Sequence, residues 1–193
     1  MERTLLVTGF GAFEGVEENP SGRLALALHA PPACVGVELP VTFRGAPLAL
    51  DAALASLEGP PLAILSLGVH PGPSFRLERQ ATTALRPGRI DNEGVTGDSL
   101  SLVGAPLQTA LDLEALDAVL RAAGAGEPEL SSDAGGYVCE RTYRHGLERG
   151  MELEVPALFL HVPPAEVLPV ASQLPIVARL ASEVARQARA LLS

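Results

Sequence analysis

The chain has 193 residues, of which 47% are hydrophobic and 19% are charged, and this composition excludes an intrinsically disordered protein. Fourteen basic residues stand against 23 acidic ones, and the net charge of −9 argues against nucleic acid or an anionic membrane surface as the main partner. No apolar run approaches the roughly 18 residues that span a bilayer, and the N-terminus lacks the basic region of a signal peptide. We therefore expect a cytoplasmic protein with a single domain over residues 1–193.

Predicted strands and helices alternate along the N-terminal half of the chain. A β-rich run predicts a strand over residues 4–8, and a helix is expected over 20–29 because proline suits a first helical turn. The pattern then predicts a strand over 35–43, a helix over 47–57, and strands over 62–67 and 75–85.

The C-terminal half continues the alternation after a loop over residues 86–98. Helices are predicted over 113–123 and over 137–147, the second capped by Ser132 or Asp133 and closed by Gly150. A strand follows over 155–162, and the last helix places five apolar residues near one face: Ile176, Leu180, Val184, Ala188 and Leu191. Strands alternating with helices predict an α/β sandwich around a mostly parallel sheet.

Cys139 is the candidate nucleophile. It follows the Gly135-Gly136 pair at the predicted start of a helix, where unpaired N–H groups and the positive dipole end favour a thiolate and can form an oxyanion hole. A buried, unreactive thiol is the competing interpretation, because free cysteine is among the most buried residue types. Cys34 lies in a strand of alternating polarity and is interpreted as structural, and two cysteines are too few for a disulfide framework.

His161 is the candidate base among the four histidines of the chain. It lies at the carboxyl end of the last predicted strand, which is where open α/β sheets bind their ligands. His145 lies on a different face of the Cys139 helix, and a core histidine remains the alternative for His161. A cysteine–histidine pair needs a third group to orient the imidazole, and Glu78 is a candidate, although a solvent-facing carboxylate is the simpler interpretation.

Aromatic residues in the first loop suggest the chemistry of a ligand. Phe10 and Phe13 stand among three glycines after the first strand, so they could enclose a flat, uncharged group, or they could simply pack in the core. The run GFGAFEG matches neither the dinucleotide-binding pattern nor a Walker loop.

Five stretches, in this order, resemble the pyroglutamyl peptidase I family: VTGFGAFEG with ENPS, LERQA, RIDNEG, AGGYVCERTYRHGL and LFLHVPPAE. The resemblance covers residues 5–161. It implies a cysteine peptidase that removes N-terminal pyroglutamyl residues from peptides through a thioester intermediate. It also implies an open αβα sandwich with a twisted, mixed sheet, no metal and no organic cofactor, a cytoplasmic location, and a homo-oligomer, either a tetramer or a dimer.

The resemblance carries residue roles as well. It implies that Cys139 is the nucleophile, His161 the base and Glu78 the orienting acid. Five further residues are expected around the pyroglutamyl ring, as aromatic walls or polar contacts: Phe10, Phe13, Asn19, Arg89 and Tyr137.

Three departures from the family pattern concern the substrate pocket. Val69 stands where many relatives have glutamine, the run before Glu78 is one residue shorter than usual, and Asp91 follows Ile90 where relatives often have proline. Two other functions therefore stay open at this point. One is a thiol amidase that uses the same residues on another small cyclic or γ-amide substrate, and the other is a non-catalytic ligand-binding domain with the same fold.

Overall fold

The computed structural model of the protein describes residues 3–13, 15–100 and 102–193. Its strands, in chain order, are β1 (Leu5–Phe10), β2 (Cys34–Leu39), β3 (Ala63–Val69), β4 (Arg76–Glu78), β5 (Gln80–Ala81), β6 (Leu107–Gln108), β7 (Glu129–Ser131) and β8 (Ala157–Val162). Six of them form one sheet in the order β2-β1-β3-β8-β4-β7, and β5 pairs with β6 in a separate antiparallel ribbon.

The main sheet is mixed but mostly parallel. β1 runs parallel to β2 and β3, and β3 runs parallel to β8. β4 is antiparallel to β8 and parallel to β7, so these two short strands run opposite to the other four. The predicted sheet type is confirmed, and the reversed strand β4 brings its residues alongside the carboxyl end of β8.

Helices cover both faces of the sheet. They are α1 (Pro20–Ala27), α2 (Gly45–Ala55), α3 (Leu113–Ala122), α4 (Val138–Leu153) and α5 (Val170–Leu191), with one 3-10 turn over Gly97–Ser99. α1, α3 and α5 close one apolar core, and α2 and α4 close the other, which confirms the αβα sandwich. Within the described ranges, no helix has the length and apolar character needed to cross a membrane.

The predicted strand over 75–85 is two strands in two different sheets. The Arg79 N–H donates to the Ser131 carbonyl of β7 at 2.7 Å, whereas the Arg79 carbonyl accepts from Thr109 N–H, beside β6, at 3.2 Å. The chain therefore leaves the main sheet at Arg79, directly after Glu78. The strand predicted over 35–43 ends at Leu39 because Pro40 has no N–H to continue the ladder.

Two predictions on α4 are wrong. The Asp133 carboxylate accepts the Gly135 N–H at 2.9 Å instead of capping the helix, which begins after Tyr137 without a side-chain cap. The helix also passes through Gly150, where a Cβ would lie 2.7 Å from the Val155 carbonyl. It ends at Leu153, and the next residue, Glu154, has a left-handed conformation (φ 55°).

The prediction that Leu191 lies on the buried face of the last helix is also wrong. Leu191 is 55% exposed, because the buried stripe of α5 advances by four residues from Ala188 to Leu192.

Candidate active site

The site lies where the carboxyl ends of β1, β3 and β8 meet the start of α4. Cys139 is the second residue of α4, as predicted, and the Gly135-Gly136 turn before it has φ values of 96° and 58°. The buried Glu140 carboxylate accepts the N–H groups of Gly136 and Thr82. Glu140 therefore ties the start of the helix to the segment that follows β5.

His161 and Glu78 form the central bond of the site. The His161 Nδ1 atom lies 2.8 Å from Glu78 Oε1, and the two residues are 4% and 0% exposed. A carboxylate accepts the hydrogen bond, so Nδ1 carries a proton, and in the neutral imidazole Nε2 then holds the lone pair. Arg76 Nη2 lies 3.5 Å from the same carboxylate oxygen. The pairing expected for Glu78 and His161 is present, and the imidazole is in the tautomer that a base needs.

Gly68 brings the Cys139 thiol to the strand pair that carries His161. In the parallel register of β3 and β8, Gly68 lies opposite His161. A Cβ built on Gly68 would lie 3.0 Å from Cys139 Sγ and 2.8 Å from the Phe159 ring. The sulfur therefore occupies space that any other residue at position 68 would fill.

Tyr143, which was not predicted from the sequence, connects helix α4, which carries Cys139, to strand β4, which carries Glu78. Its hydroxyl donates to the Glu78 backbone carbonyl at 2.9 Å, and its ring packs against Phe159 with centroids 5.6 Å apart. The available signal was its position four residues after Cys139, which places both side chains on one face of α4.

The thiol of Cys139 is not stabilised as a thiolate in the resting protein. Burial first, and then the carboxylates of Glu78 and Glu140, raise the pKa of the Cys139 thiol to about 12. These effects act against the expected thiolate, and they outweigh a backbone hydrogen bond and the Arg89 guanidinium, which lower the pKa of the thiol. A thiol in this state requires a base before it can act as a nucleophile.

A small cavity of about 70 Å³ lies against Cys139. All five residues expected around a ring line it, together with the nucleophile and three apolar residues: Phe10, Phe13, Asn19, Arg89, Tyr137, Cys139, Val41, Val69 and Val138. The Arg89 guanidinium lies 4.7 Å from the centroid of the Tyr137 ring, and the Tyr137 hydroxyl donates to the Ile90 carbonyl at 2.8 Å. The pocket has aromatic and apolar walls, as a flat neutral group requires.

Asn19 contributes to the pocket mainly by linking the start of α1 to the loop that follows β1. Its Oδ1 accepts from the Ser21 N–H at 3.1 Å and from the Ser21 hydroxyl at 2.8 Å, which caps α1. Its Nδ2 donates to the Gly11 carbonyl at 3.0 Å. The side chain thus fixes the loop of Phe10 and Phe13, and its second amide hydrogen is the group it can offer to a ligand.

Asp91 organises the loop that carries Arg89. This role, like that of Tyr143, was not predicted from the sequence. The buried carboxylate accepts N–H groups from Phe43 at 2.7 Å and from Glu93 and Val95 at 2.9 Å each. The next residue, Asn92, donates to the Ala12 carbonyl at 2.9 Å and so joins this loop to the segment between Phe10 and Phe13.

A larger cavity of about 650 Å³ continues from the small one. The two share Phe13, Val69 and Arg89. Its other walls come from the first loop, the end of β3 and the segment after β8: Gly15, Val16, Glu17, Glu18, Pro20, His70, Pro71, Pro164, Ala165 and Glu166.

In the part of the chain that the structure describes, no cluster of three or more His, Cys, Asp or Glu side chains could hold a metal ion. Cys34 is a free thiol at the start of β2, where burial raises its pKa, in agreement with a structural role.

Comparisons with known proteins agree with this geometry. The sequence profile of the pyroglutamyl peptidase family matches residues 3–187. The pyrrolidone-carboxylate peptidase of Thermococcus onnurineus is 34% identical over 171 residues, which cover 82% of each chain. That of Deinococcus radiodurans is 35% identical over 177 residues, which cover 83% of this chain and 78% of the relative.

Solved structures give the same result. Pyrrolidone carboxyl peptidase from Thermus thermophilus superposes with a TM-score of 0.79 at 33% identity, covering 93% of this chain and 98% of that one. Pyroglutamyl peptidase I from Bacillus amyloliquefaciens superposes with a TM-score of 0.84 over 97% of this chain and 98% of that one. The second structure shares 22% identity, so its likeness concerns the fold.

Proposed function

This chain belongs to the pyroglutamyl peptidase family of cysteine peptidases, and on that premise we infer that Cys139, His161 and Glu78 remove N-terminal pyroglutamyl residues from peptides. The observation that carries the assignment is the 2.8 Å contact between His161 Nδ1 and the fully buried Glu78 carboxylate. It leaves the other imidazole nitrogen free at the strand pair that the Cys139 thiol approaches.

In the first step Cys139 attacks the carbonyl carbon that joins pyroglutamate to the next residue. The Sγ–C bond forms while the thiol proton moves to His161 Nε2, and the carbonyl oxygen becomes an oxyanion. The N–H groups in the first turn of α4 are available to bind that oxyanion, because no preceding helical turn offers them carbonyl partners. The resulting imidazolium is stabilised by the Glu78 carboxylate.

The second half of the reaction returns the enzyme to its starting state. The C–N bond breaks, the amine of the departing peptide takes the proton from His161, and a thioester remains on Cys139. Water then gives a proton to His161 Nε2 and attacks the thioester, which releases pyroglutamate and restores the thiol.

The small cavity fits the acyl part of this substrate. Pyroglutamate is flat, neutral and lacks a free α-amine, so aromatic walls from Phe10, Phe13 and Tyr137 suit it better than a carboxylate would. Its lactam N–H and C=O need polar partners, because an unpaired buried group costs about 1–3 kcal/mol. Asn19 and Arg89 offer donors to the pocket, so we assign both to the lactam C=O, while the lactam N–H needs an acceptor from another group of the pocket and Val69 contributes an apolar wall.

The larger cavity suits the leaving peptide. The departing amine takes its proton from His161, so the peptide leaves on the His161 side of Cys139. His70 packs against His161 and lines this cavity, as does Pro164. The cavity is also continuous with the ring pocket, as a substrate that enters both requires.

The proposed function also suggests where the protein acts and how its chains associate. We assign residues 1–193 to one catalytic domain that acts in the cytoplasm, where a reducing environment keeps a thiol nucleophile active. We also propose a homo-oligomer, either a dimer or a tetramer. Light scattering of the purified protein measures which of these states it forms.

The direct test is amine release from a pyroglutamyl anilide. We expect release that iodoacetamide blocks, and no release from the matching prolyl anilide, which lacks the lactam carbonyl. Cys139→Ala removes the activity and Cys34→Ala, the matched control, retains it. Near-normal turnover by folded Cys139→Ala would contradict the assignment, and hydrolysis of a γ-amide substrate alone would favour a thiol amidase.

A further inference from the structure

His70 lies beside the proposed site, and the mechanism above gives it no role. It follows β3 directly, and its backbone N–H donates to the Val162 carbonyl of β8 at 3.2 Å. Its side chain is largely buried, with 9% of the residue exposed. The His70 and His161 rings meet edge to face, with centroids 5.8 Å apart and planes at 66°. A second imidazole therefore packs directly on the base.

Both ring nitrogens of His70 are occupied by backbone groups. Nε2 lies 2.6 Å from the Ser74 carbonyl oxygen, and a carbonyl only accepts, so Nε2 carries the proton. Nδ1 accepts the Gly72 N–H at 3.2 Å, so Nδ1 is unprotonated. These two bonds define one neutral tautomer of His70, and they hold its ring in one orientation.

The turn between β3 and β4 is built around this ring. A Cβ on Gly72 would lie 2.6 Å from the His70 Cε1 atom, so the turn has room for the imidazole only because residue 72 is glycine. β4 begins after this turn and pairs Arg76 with His161 and Glu78 with Phe159. The position of the turn therefore sets the position of the Glu78 carboxylate relative to the His161 ring.

We propose that neutral His70 is a positioning residue for the His161–Glu78 pair, a role that rests on the proposed function. Its ring supports one side of the His161 imidazole, and its two hydrogen bonds hold the turn that starts the Glu78 strand. A proton on Nδ1 displaces the Gly72 N–H and puts a positive charge beside the imidazolium that His161 becomes. The arrangement therefore works while His70 is neutral and fails when His70 is protonated.

The surroundings of His70 favour the neutral form. Burial is the main cause that lowers the pKa of His70, and the positive charges of His161 and Arg76 act in the same direction. The bond to Ser74 and the Glu129 carboxylate act against them. The other charged residues along the cavity that His70 lines are Arg89, Glu17, Glu18 and Glu166.

Two substitutions and one control separate this role from simple packing. His70→Phe keeps a flat ring against His161 but neither binds the turn nor takes a proton. His70→Gln keeps an amide that can donate to the Ser74 carbonyl. The control is His29→Phe, because His29 Nδ1 also accepts a backbone N–H, from Gly36 at 3.2 Å, outside the site.

Rates on a pyroglutamyl anilide are measured from about pH 4.5 to 8.5, with the melting temperature recorded at each pH. At neutral pH we expect His70→Phe to lower kcat about tenfold or more with KM changed less than about twofold, because a displaced base costs rate rather than binding. His70→Gln should retain more activity than His70→Phe, and His29→Phe should match the unmodified enzyme.

The acid side of the profile gives a readout that a packing role would not move. In the unmodified enzyme, log kcat/KM should fall as the pH is lowered, with a slope approaching about 2 per pH unit, because a proton on His161 and a proton on His70 each inactivate the enzyme. In His70→Phe the slope should be about 1. Equal slopes, or an unchanged kcat in folded His70→Phe, overturn the proposal. If His70→Phe does not fold, the His70→Gln profile is compared with that of the unmodified enzyme in the same way.

Alkylation of Cys139 separates failure of this inference from failure of the proposed function. The thiol reacts with iodoacetamide below about pH 9 only when His161 takes its proton, and mass spectrometry of the Cys139 peptide follows the reaction without a substrate. An enzyme that releases no amine contradicts the peptidase assignment, whereas the acid slope of alkylation, with and without His70, still tests the positioning role.

Discussion

The Glu78 carboxylate decides which nitrogen of His161 carries a proton. In Glu78→Gln the amide can donate to Nδ1, which moves the imidazole proton to Nε2 and removes the lone pair that the proposed mechanism uses as the base. We expect kcat to fall by about 10³–10⁴ with little change in KM, as for other triads in which the tautomer is reversed. Steady-state kinetics with Glu127→Gln as the surface control, a carboxylate that pairs with Arg121 away from the site, checks this result, and retention of half the activity would contradict the role.

Alkaline pH should destabilise the protein through Cys139. The folded pKa of this thiol, about 12, lies above its ordinary value of 9.0. Below pH 9 both states hold the proton, and between these values the unfolded chain loses it first, so stability falls as pH rises. Burial also raises the pKa of Tyr143, which contributes in the same direction.

The check is a set of denaturant unfolding curves between about pH 7 and 10.5. We expect the free energy of unfolding to fall less steeply above pH 9 in Cys139→Ala than in the unmodified protein. The curves below about pH 8 serve as the internal control, because there the difference between the two proteins should not change with pH. Parallel curves over the whole range would show that the folded thiol has an ordinary pKa.

At the scale of elements, β3 and α4 approach each other through Gly68. Gly68→Ala should lower kcat by about tenfold to a hundredfold, because the new methyl group displaces Cys139 Sγ or the Phe159 ring. Gly146→Ala in α4 is the matched control, since a Cβ there meets its nearest neighbours at 3.9 Å. Kinetics and melting curves of both variants test this contact, and equal activities would show that the thiol has room to move.

The elements with a clear periodicity are those that the sequence predicts well. α1 begins at Pro20 and α3 at Leu113, as predicted, and β8 follows from its continuous apolar run. The three-residue strand β7 carries no such pattern, so the sequence does not predict it. The change of sheet at Arg79 depends on hydrogen bonds to two distant segments, and no local pattern shows it.

The same distinction applies to the candidate site. Helix position and strand end were enough to select Cys139 and His161, whereas the role of Glu78 came from the family resemblance, since spacing favoured neither interpretation. The pKa of Cys139 was predicted in the wrong direction because burial and two carboxylates are tertiary effects. The proposed role of His70 could not be predicted from the sequence either, because it depends on contacts in the folded protein and not on a local sequence pattern.

At the scale of the whole molecule, charge should influence the choice of substrate. Among the described residues, three glutamates and one arginine line the cavity assigned to the leaving peptide, Glu17, Glu18, Glu166 and Arg89, in a chain of net charge −9. We expect a higher kcat/KM for a pyroglutamyl peptide with arginine in the next position than for one with glutamate, because the cleft attracts cations.

Ionic strength and one substitution test this preference. The ratio of the two rates should decline toward 1 in about 1 M salt, where the Debye length is only ~3 Å. Glu166→Gln should lower the ratio at low salt, and the surface variant Glu152→Gln should leave it unchanged. A ratio that does not respond to salt would mean that the side chain after pyroglutamate lies outside the charged cleft.

The strand order has a consequence for how the chain folds as it is synthesised. β8 is the last strand in the sequence, yet it lies inside the sheet, between β3 and β4. Until residues 157–162 have left the ribosome, β3 has an open edge, and β4 with β7 has no place in the sheet. Nascent chains thus expose unpaired strand edges, which favour aggregation, until β8 has been synthesised. The base arrives on that final strand, so catalytic activity reports that the whole sheet has closed.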